Sequence, residues 1–267
     1  MWRWTQNVSL ADQRRARYWA KHYQLDAIFT TDGDGDRPLV ADETGQWLAG
    51  DSLGMLCAQY LGATGLAVPV NANSAVETYL RIPVIRTKIG SPYVIAAMHQ
   101  AAATSNYVAG FECNGGFLCA SSMILAGSQI DALPTRDAWL PFICLLNMAN
   151  ESRLTLSQLI ATLPKRFCAS DRLKEFPRYK AQAYLTHWRN DIESLQTLID
   201  RSTKITDMNN TDGLRVTYQD GLILHLRASG NAPELRCYCE ADCPETARQY
   251  VIKVLEKVST LPDISNN

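Results

Sequence analysis

Gly65-Leu66-Ala67-Val68-Pro69, then residues 74–80, Pro83-Val84-Ile85-Arg86, residues 92–103 and Tyr107-Val108-Ala109-Gly110 follow one another along the middle of the chain. Short apolar runs alternate here with segments of helical spacing. A helix is predicted upstream over residues 51–61, and long helices downstream near residues 138–149 and 156–163. Strands separated by helices of this length make βαβ units, which close into a parallel-type sheet covered by helices. Residues 50 to about 165 are therefore expected to form an α/β domain.

Upstream, Leu10–Tyr23 is charged and helix-compatible, and residues 25–30 read as a buried strand. That strand runs into Asp32-Gly33-Asp34-Gly35-Asp36-Arg37, followed by short strand candidates at 38–42 and 46–49. Downstream, Ala183, Tyr184, Trp188, Ile192, Leu195 and Ile199 predict one amphipathic helix over 178–200, joining two modules. Strands are expected at 213–218 and 222–227, linked by Gln219-Asp220-Gly221, a hairpin signal, and at 235–240. A last helix carries the stripe Ala247, Tyr250, Val251, Val254, Leu255 and Val258, with Asp242 as the expected N-cap before Pro244 and Glu245. Strands closed by one covering helix make a small α+β domain.

The chain has 267 residues, 46% hydrophobic and 20% charged, enough for two globular domains. A net charge of −1 offers no electrostatic case for nucleic acid or an anionic membrane as partner. No apolar run approaches the roughly 20 residues that span a bilayer, and Met-Trp-Arg-Trp-Thr-Gln at the start lacks the apolar core of a signal peptide. A soluble, cytoplasmic protein is expected. The eight cysteines form no C-x-x-C pair, and several lie in apolar surroundings, so free core thiols are expected rather than disulfides. Cys237, Cys239 and Cys243 raise a zinc reading, but the ligand spacing is wrong and Cys237 and Cys239 alternate as core positions of a strand do. His22, His99, His187 and His225 are scattered and are assigned no role.

Three loops carry chemistry. Asp32, Asp34 and Asp36 are spaced by two, so in an extended chain their carboxylates share a face and converge. Converging carboxylates repel one another unless a hard cation sits among them. Arg37 beside them suggests an anion, such as a phosphate, on the same cation. An EF-hand reading would use Glu43 at position twelve, but position six is Arg37 rather than glycine and the flanks read as strands. A solvated acidic turn is the bland alternative. Magnesium is the expected ion. Second, Arg227-Ala228-Ser229-Gly230-Asn231-Ala232-Pro233-Glu234-Leu235-Arg236 offers two arginines, a hydroxyl, an amide and backbone N–H groups around Gly230, the parts of a phosphate cradle. Third, Gly110 to Phe117 follows a strand end, where ligands collect in α/β sheets. Glu112 and Asn114 there could bond vicinal hydroxyls of a sugar; a tight turn with a surface glutamate would look similar.

Together, in this order, the loops resemble those of the α-D-phosphohexomutase family, the phosphomannomutases and phosphoglucomutases. The resemblance implies Asp32, Asp34 and Asp36 as magnesium ligands, Arg37 near the catalytic phosphate, and Lys88 as a lysine that contacts substrate. Residues 110–116 resemble the sugar-specificity loop G-E-x-S-G-H, with Glu112 in place, Asn114 for the serine and Gly116 for the histidine. Arg227, Ser229, Gly230, Asn231 and Arg236 match R-x-S-G-T-E-P-x-x-R, with Asn231 for the threonine and Ala232 for the glutamate.

The implied fold is a mixed αβα sandwich over residues 49–172, the family's third domain. It is preceded by the end of a second, partial α/β domain over 1–48 and followed by a linker helix and small α+β fourth domain over 173–267. Residues 1–48 are expected to look like a sheet cut open. The implied reaction interconverts hexose 1-phosphate and hexose 6-phosphate, of mannose or glucose, through a phosphoserine and a bound 1,6-bisphosphate. No stretch of these residues matches the T-A-S-H-N-P loop that carries the serine; Ala103-Thr104-Ser105-Asn106 lacks its histidine and proline. The chain alone is therefore expected to be inactive, the serine coming from an upstream segment or a separate chain. A non-catalytic, metal-dependent phosphosugar-binding protein is the alternative.

Overall fold

The computed structural model describes residues 8–262, in two compact units that divide between Pro164 and Lys165. In the first, helix α1 (Leu10–Tyr23) starts at Ser9, whose hydroxyl accepts the Asp12 N–H. Strands β1 (Ile28–Thr31) and β2 (Pro38–Ala41) pair antiparallel, Ile28 opposite Ala41 and Thr31 opposite Pro38. Then come α2 (Gly50–Tyr60), β3 (Gly65–Pro69), α3 (Ala75–Leu80), β4 (Val84–Thr87), α4 (Ser91–Ala101) and β5 (Val108–Phe111). Four short strands follow, β6 (Phe117–Cys119), β7 (Met123–Leu125), β8 (Ser128–Ile130) and β9 (Leu133–Asp137), before α5 (Trp139–Ser152) and α6 (Leu156–Ala161).

The main sheet has the order β4-β3-β5-β6-β9. Its first three strands are parallel, while β6 and β9 are antiparallel additions. Period-two alternation sets the layers. Leu66, Val68, Ala109 and Phe111 pack into the larger core with Leu53, Leu56 and Leu145 from α2 and α5. Ala67, Val108 and Leu118 face the other way, onto Val94, Ala97 and Met98 of α4. The unit is an αβα sandwich. Arg86 pins the β3–α3 connection, its guanidinium donating to Glu77 at 2.7 and 2.8 Å and to the Ala72 and Asn73 carbonyls at 2.7 and 3.1 Å.

The second unit contains β10 (Phe167–Leu173), α7 (Arg178–Asn190), α8 (Ile192–Ile199), β11 (Ile205–Asn209), β12 (Leu214–Tyr218), β13 (Ile223–Ala228), β14 (Leu235–Ala241) and α9 (Pro244–Ser259). Its antiparallel sheet runs β10-β14-β13-β12-β11. Leu224, Leu226, Cys237 and Cys239 on one face share a core with Ala247, Val251, Val254 and Val258 of α9.

Several expectations need correction. The helix predicted over 178–200 is two helices, because Asp191 leaves the helical region at φ −126°, ψ 90° and caps the second by accepting the Ser194 N–H. Cys243, not Asp242, caps α9, its sulfur accepting the Thr246 N–H. The strand expected at 25–30 forms over Ile28–Thr31 and is half-buried, and 46–49 contributes only an isolated bridge from Trp47 to Ala41. The boundary read at 172 lies within a strand: residues 167–173 pair with 235–241 and so belong to the second unit's sheet. The expected free thiols are found at all eight cysteines, with Cys237 and Cys239 buried in the second unit's core and the Cys239 thiol pushed up to about 12 by burial. Among the described residues no helix is long and apolar enough to cross a membrane.

His225 is buried in the second unit, with Nε2 donating to the Asp212 carbonyl at 2.6 Å. Burial pushes its pKa down to about 4, against roughly 6.5 when unfolded. Below pH 6.5 the unfolded chain takes up a proton that the folded chain refuses, so this group's contribution is full above pH 6.5 and is lost between 6.5 and 4. Up to about 3 kcal/mol is at stake. Urea unfolding between pH 7 and 4.5 should show the decline, with a flatter profile in His225→Gln; parallel profiles would contradict it.

Candidate functional site

The acidic loop spans residues 32–37, between the Thr31–Pro38 pair that ends the β1–β2 ladder. Asp32 closes it: its N–H donates to the Arg37 carbonyl at 3.2 Å, its Oδ1 accepts the Arg37 N–H at 3.2 Å, and its carbonyl accepts the Gly35 N–H at 3.1 Å. One oxygen from each of Asp32, Asp34 and Asp36 then lies within 4.8 Å of the others. Magnesium binds oxygens at 2.0–2.1 Å, which sets ligand oxygens about 3–4 Å apart, within the spread of this cluster. Asp32 Oδ2 and Asp36 Oδ1 are buried oxygens whose charge calls for a cation. Both face Arg37, whose guanidinium pairs with Asp32 and lies 3.5 Å from Asp36. Arg37 thus turns back onto the carboxylates.

Glu43, the EF-hand candidate, is engaged elsewhere: its carboxylate accepts the Ser157 N–H at 3.2 Å and the Ser157 hydroxyl, in the first turn of α6. That removes it as a twelfth-position ligand.

The sugar-loop candidate joins β5 to β6. The Glu112 N–H donates to the Gly116 carbonyl, the Gly115 N–H donates to the Glu112 carbonyl, and Asn114 Oδ1 accepts the Gly116 N–H at 3.0 Å. Asn114 therefore spends its carbonyl oxygen shaping the turn. Gly115 has φ +94°, and a Cβ there would stand 3.1 Å from the Pro38 carbonyl oxygen. A Cβ on Gly50, which opens α2, would meet Cys113 O and Gly115 N at 2.4 Å. Backbone contact through these glycines seats the Glu112 loop against the residue that follows the acidic loop.

Glu112 is 4% exposed. Its Oε2 accepts from the Ser91 hydroxyl at 2.9 Å and from Arg136 Nε and NH2 at 2.9 and 2.7 Å, none of which uses Oε1. The same guanidinium donates through NH1 to Asp36 Oδ2 at 2.7 Å. Arg136 therefore joins the two loops. Its bond holds the Asp36 carboxyl below the usual range, against a smaller opposing effect of burial. Burial opposes the Arg136 charge, but the bonds from Asp36 and Glu112 outweigh it and raise its pKa. Lys88 lies one residue past β4, exposed, with Nζ 5.8 Å from the Tyr93 ring centroid. The parallel order puts its strand end on the same side of the sheet as Glu112.

In the second unit, Arg227 on β13 stands directly opposite Arg236 on β14, and Arg236 directly opposite Arg172 on β10. Three arginines thus lie in a row on one face. Like charges so placed destabilise a sheet unless countered. Glu234 lies 3.4 Å from both Arg172 and Arg236, and Asp212 lies 2.9 Å from Arg227, so three cations meet two carboxylates. The Arg227 Nε is the atom that meets Asp212, while the Arg236 Nε is buried and makes no hydrogen bond. Beside the row, Ser229 is buried, with its N–H on the Glu234 carbonyl at 2.8 Å and its hydroxyl accepting the Asn231 N–H at 3.4 Å; Gly230 and Asn231 are exposed.

Sequence reasoning missed Arg136 and Arg172. Neither sits in a loop with a local signature, since Arg136 ends β9 and Arg172 lies within β10. Only strand pairing brings either to the loops.

Fold and loops together define an α/β protein of two units, an acidic loop in the first and an arginine row in the second. The family model for the phosphoglucomutase/phosphomannomutase alpha/beta/alpha domain III matches residues 49–167, and that for the phosphoglucomutase/phosphomannomutase C-terminal domain matches 169–257. The chain belongs to the phosphoglucomutase/phosphomannomutase family. A phosphomannomutase of Salmonella muenchen is 46% identical over 258 residues, 96% of this chain and 54% of that protein. A phosphoglucomutase/phosphomannomutase family structure from Burkholderia thailandensis superposes with a TM-score of 0.66 at 18% identity, over 92% of this chain and 50% of that one. An Aspergillus fumigatus N-acetylphosphoglucosamine mutase, solved with GlcNAc-6P and magnesium, gives a TM-score of 0.60 at 16% identity, covering 91% of this chain and 56% of that one. The chain spans about half the length of the curated relatives it matches.

Gly115→Ala should destabilise the first unit by about 1–3 kcal/mol, through a left-handed backbone and a Cβ pressed on Pro38. Urea unfolding would show it as a lower midpoint. A midpoint unchanged from wild type would mean that the loop relaxes away from Pro38.

Proposed function

We propose that the chain provides the metal-, sugar- and phosphate-binding parts of a phosphohexomutase that interconverts hexose 1-phosphate and hexose 6-phosphate, of mannose or glucose. On this reading residues 1–48 are the end of the family's second domain, 49–164 its third and 165–267 its fourth, the last boundary following the division between the two units. The phosphoserine that stores the transferred group lies outside the residues at hand. The reducing cytoplasm is its place of work, where eight free thiols are chemically at home.

The observation that carries this reading is the convergence of Asp32, Asp34 and Asp36 beside a buried glutamate held by Arg136 and Ser91. Asp32, Asp34 and Asp36 would hold magnesium, which when bound offsets negative charge on the phosphoryl group in transfer. Arg37, now folded over that cluster, supplies a guanidinium for the same group, and Lys88 a mobile cation at the neighbouring strand end. Glu112 Oε1 and the Asn114 amide orient sugar hydroxyls. Arg227, Ser229, Gly230, Asn231 and Arg236 hold the phosphate that does not react, and Arg172 joins them as the third arginine of the row.

Titrating the chain with mannose 6-phosphate should give saturable binding. Arg227→Ala should weaken it about tenfold or more, the scale of a charged hydrogen bond, and Arg172→Ala by roughly three- to tenfold, the scale of an ordinary one. Unchanged affinity in Arg227→Ala would sink the phosphate assignment. Asp34→Asn is expected to weaken magnesium binding about tenfold.

Mutase activity should appear on adding a segment that bears the phosphoserine domain. Sugar-phosphate binding without turnover in that mixture would favour the second reading, a non-catalytic metal-dependent phosphosugar-binding protein.

A further inference from the structure

We propose that Arg136 is a positioning residue that couples cation binding at Asp32, Asp34 and Asp36 to the setting of Glu112. The inference rests on the metal reading above and adds a device to it. One guanidinium serves two carboxylates from distant parts of the chain: NH1 reaches Asp36 Oδ2 at 2.7 Å, while Nε and NH2 reach Glu112 Oε2 at 2.9 and 2.7 Å. The Ser91 hydroxyl takes the same Glu112 oxygen. Three donors on Oε2 fix the carboxylate plane and turn Oε1 away as the acceptor for a ligand hydroxyl.

A cation drawn to Asp36 competes with NH1 for that carboxylate. As the Asp36 bond weakens, the guanidinium leans further on Glu112. Linkage makes the effect reciprocal: whatever strengthens the Arg136–Glu112 bonds frees Asp36 for the cation, and whatever removes the Glu112 charge leaves Arg136 on Asp36. The fold keeps room for this. A Cβ on Gly116 would stand 2.8 Å from Arg136 Cδ and 3.0 Å from its Cγ, so the side chain lies across a position that only glycine leaves open.

The test titrates the full chain with Mn2+, followed by electron paramagnetic resonance of the free ion, in wild type, Glu112→Gln, Arg136→Met and the double variant. Glu112 is not among the carboxylates of the cluster, so Glu112→Gln reads the coupling. It should weaken Mn2+ about fivefold or more when Arg136 is present and less than twofold in the Arg136→Met background. Arg136→Met alone should tighten Mn2+, whereas a merely structural loss would weaken it. Gly116→Ala, which changes no charge, should reduce the Glu112→Gln effect by displacing the arginine stem. Arg136→Lys should do the same, because an ammonium cannot fork to both carboxylates. If Arg136→Met does not fold, these two variants carry the comparison. An equal effect of Glu112→Gln with and without Arg136 overturns the coupling while leaving the metal reading intact. A wild-type chain that binds no Mn2+ overturns the metal reading and the coupling with it.

Discussion

The close approach of three backbone segments is the constraint on which the first unit's charged end depends. Gly50 opens α2 against Cys113 and Gly115, and Gly115 lies against Pro38. A Cβ on Gly50 would force α2 away from the Glu112 loop, and one on Gly115 would press Pro38 back by a few tenths of an ångström. The parallel strands β3, β4 and β5 deliver their ends to one side of the sheet, as in other α/β sheets. The glycines then decide how near the acidic loop's flank comes to the Glu112 loop. Only at that separation can one arginine side chain span both.

The electrostatics follow from that packing. Asp36 and Glu112 would repel across a partly buried gap, and Arg136 turns the repulsion into two attractions. Arg37 does the same for Asp32 and Asp36 inside the loop. The Arg136 bond also holds the Asp36 carboxyl below its usual range, which favours the ionised form that a hard cation binds. In the second unit the balance is reversed. Arg172, Arg236 and Arg227 are set side by side by strand register and are only partly countered by Glu234 and Asp212. A sheet that tolerates three adjacent cations has a surface suited to an anion.

Much of the fold was legible because its signals are local. The buried run of β3, the stripe of α9 and the Asp220-Gly221 turn each depend on neighbours in sequence. Where reading failed, a competing local effect or a distant partner was responsible. Asp191 breaks the 178–200 helix by capping its second part, which apolar spacing does not register. Strand β10 carries Ser170, Asp171 and Arg172 and shows little apolar alternation; it is a strand because β14 lies beside it. Cys237 and Cys239 alternate as core positions, as their spacing suggests, and Cys243 caps a helix.

The sequence by itself determined which residue types stand in each loop: three aspartates spaced by two with glycines between them, a glutamate after a strand, and a serine and glycine between arginines. Those facts lie within a few residues of one another, and their chemistry can be read without a fold. Tertiary structure alone decided that Arg136, 100 residues from Asp36 and 24 from Glu112, would bridge the two. It also made Arg172 the neighbour of Arg236, across a strand pair 64 residues apart in sequence. The reason is physical: a charge finds its partner through space, and only the packing of sheet and loops sets that distance.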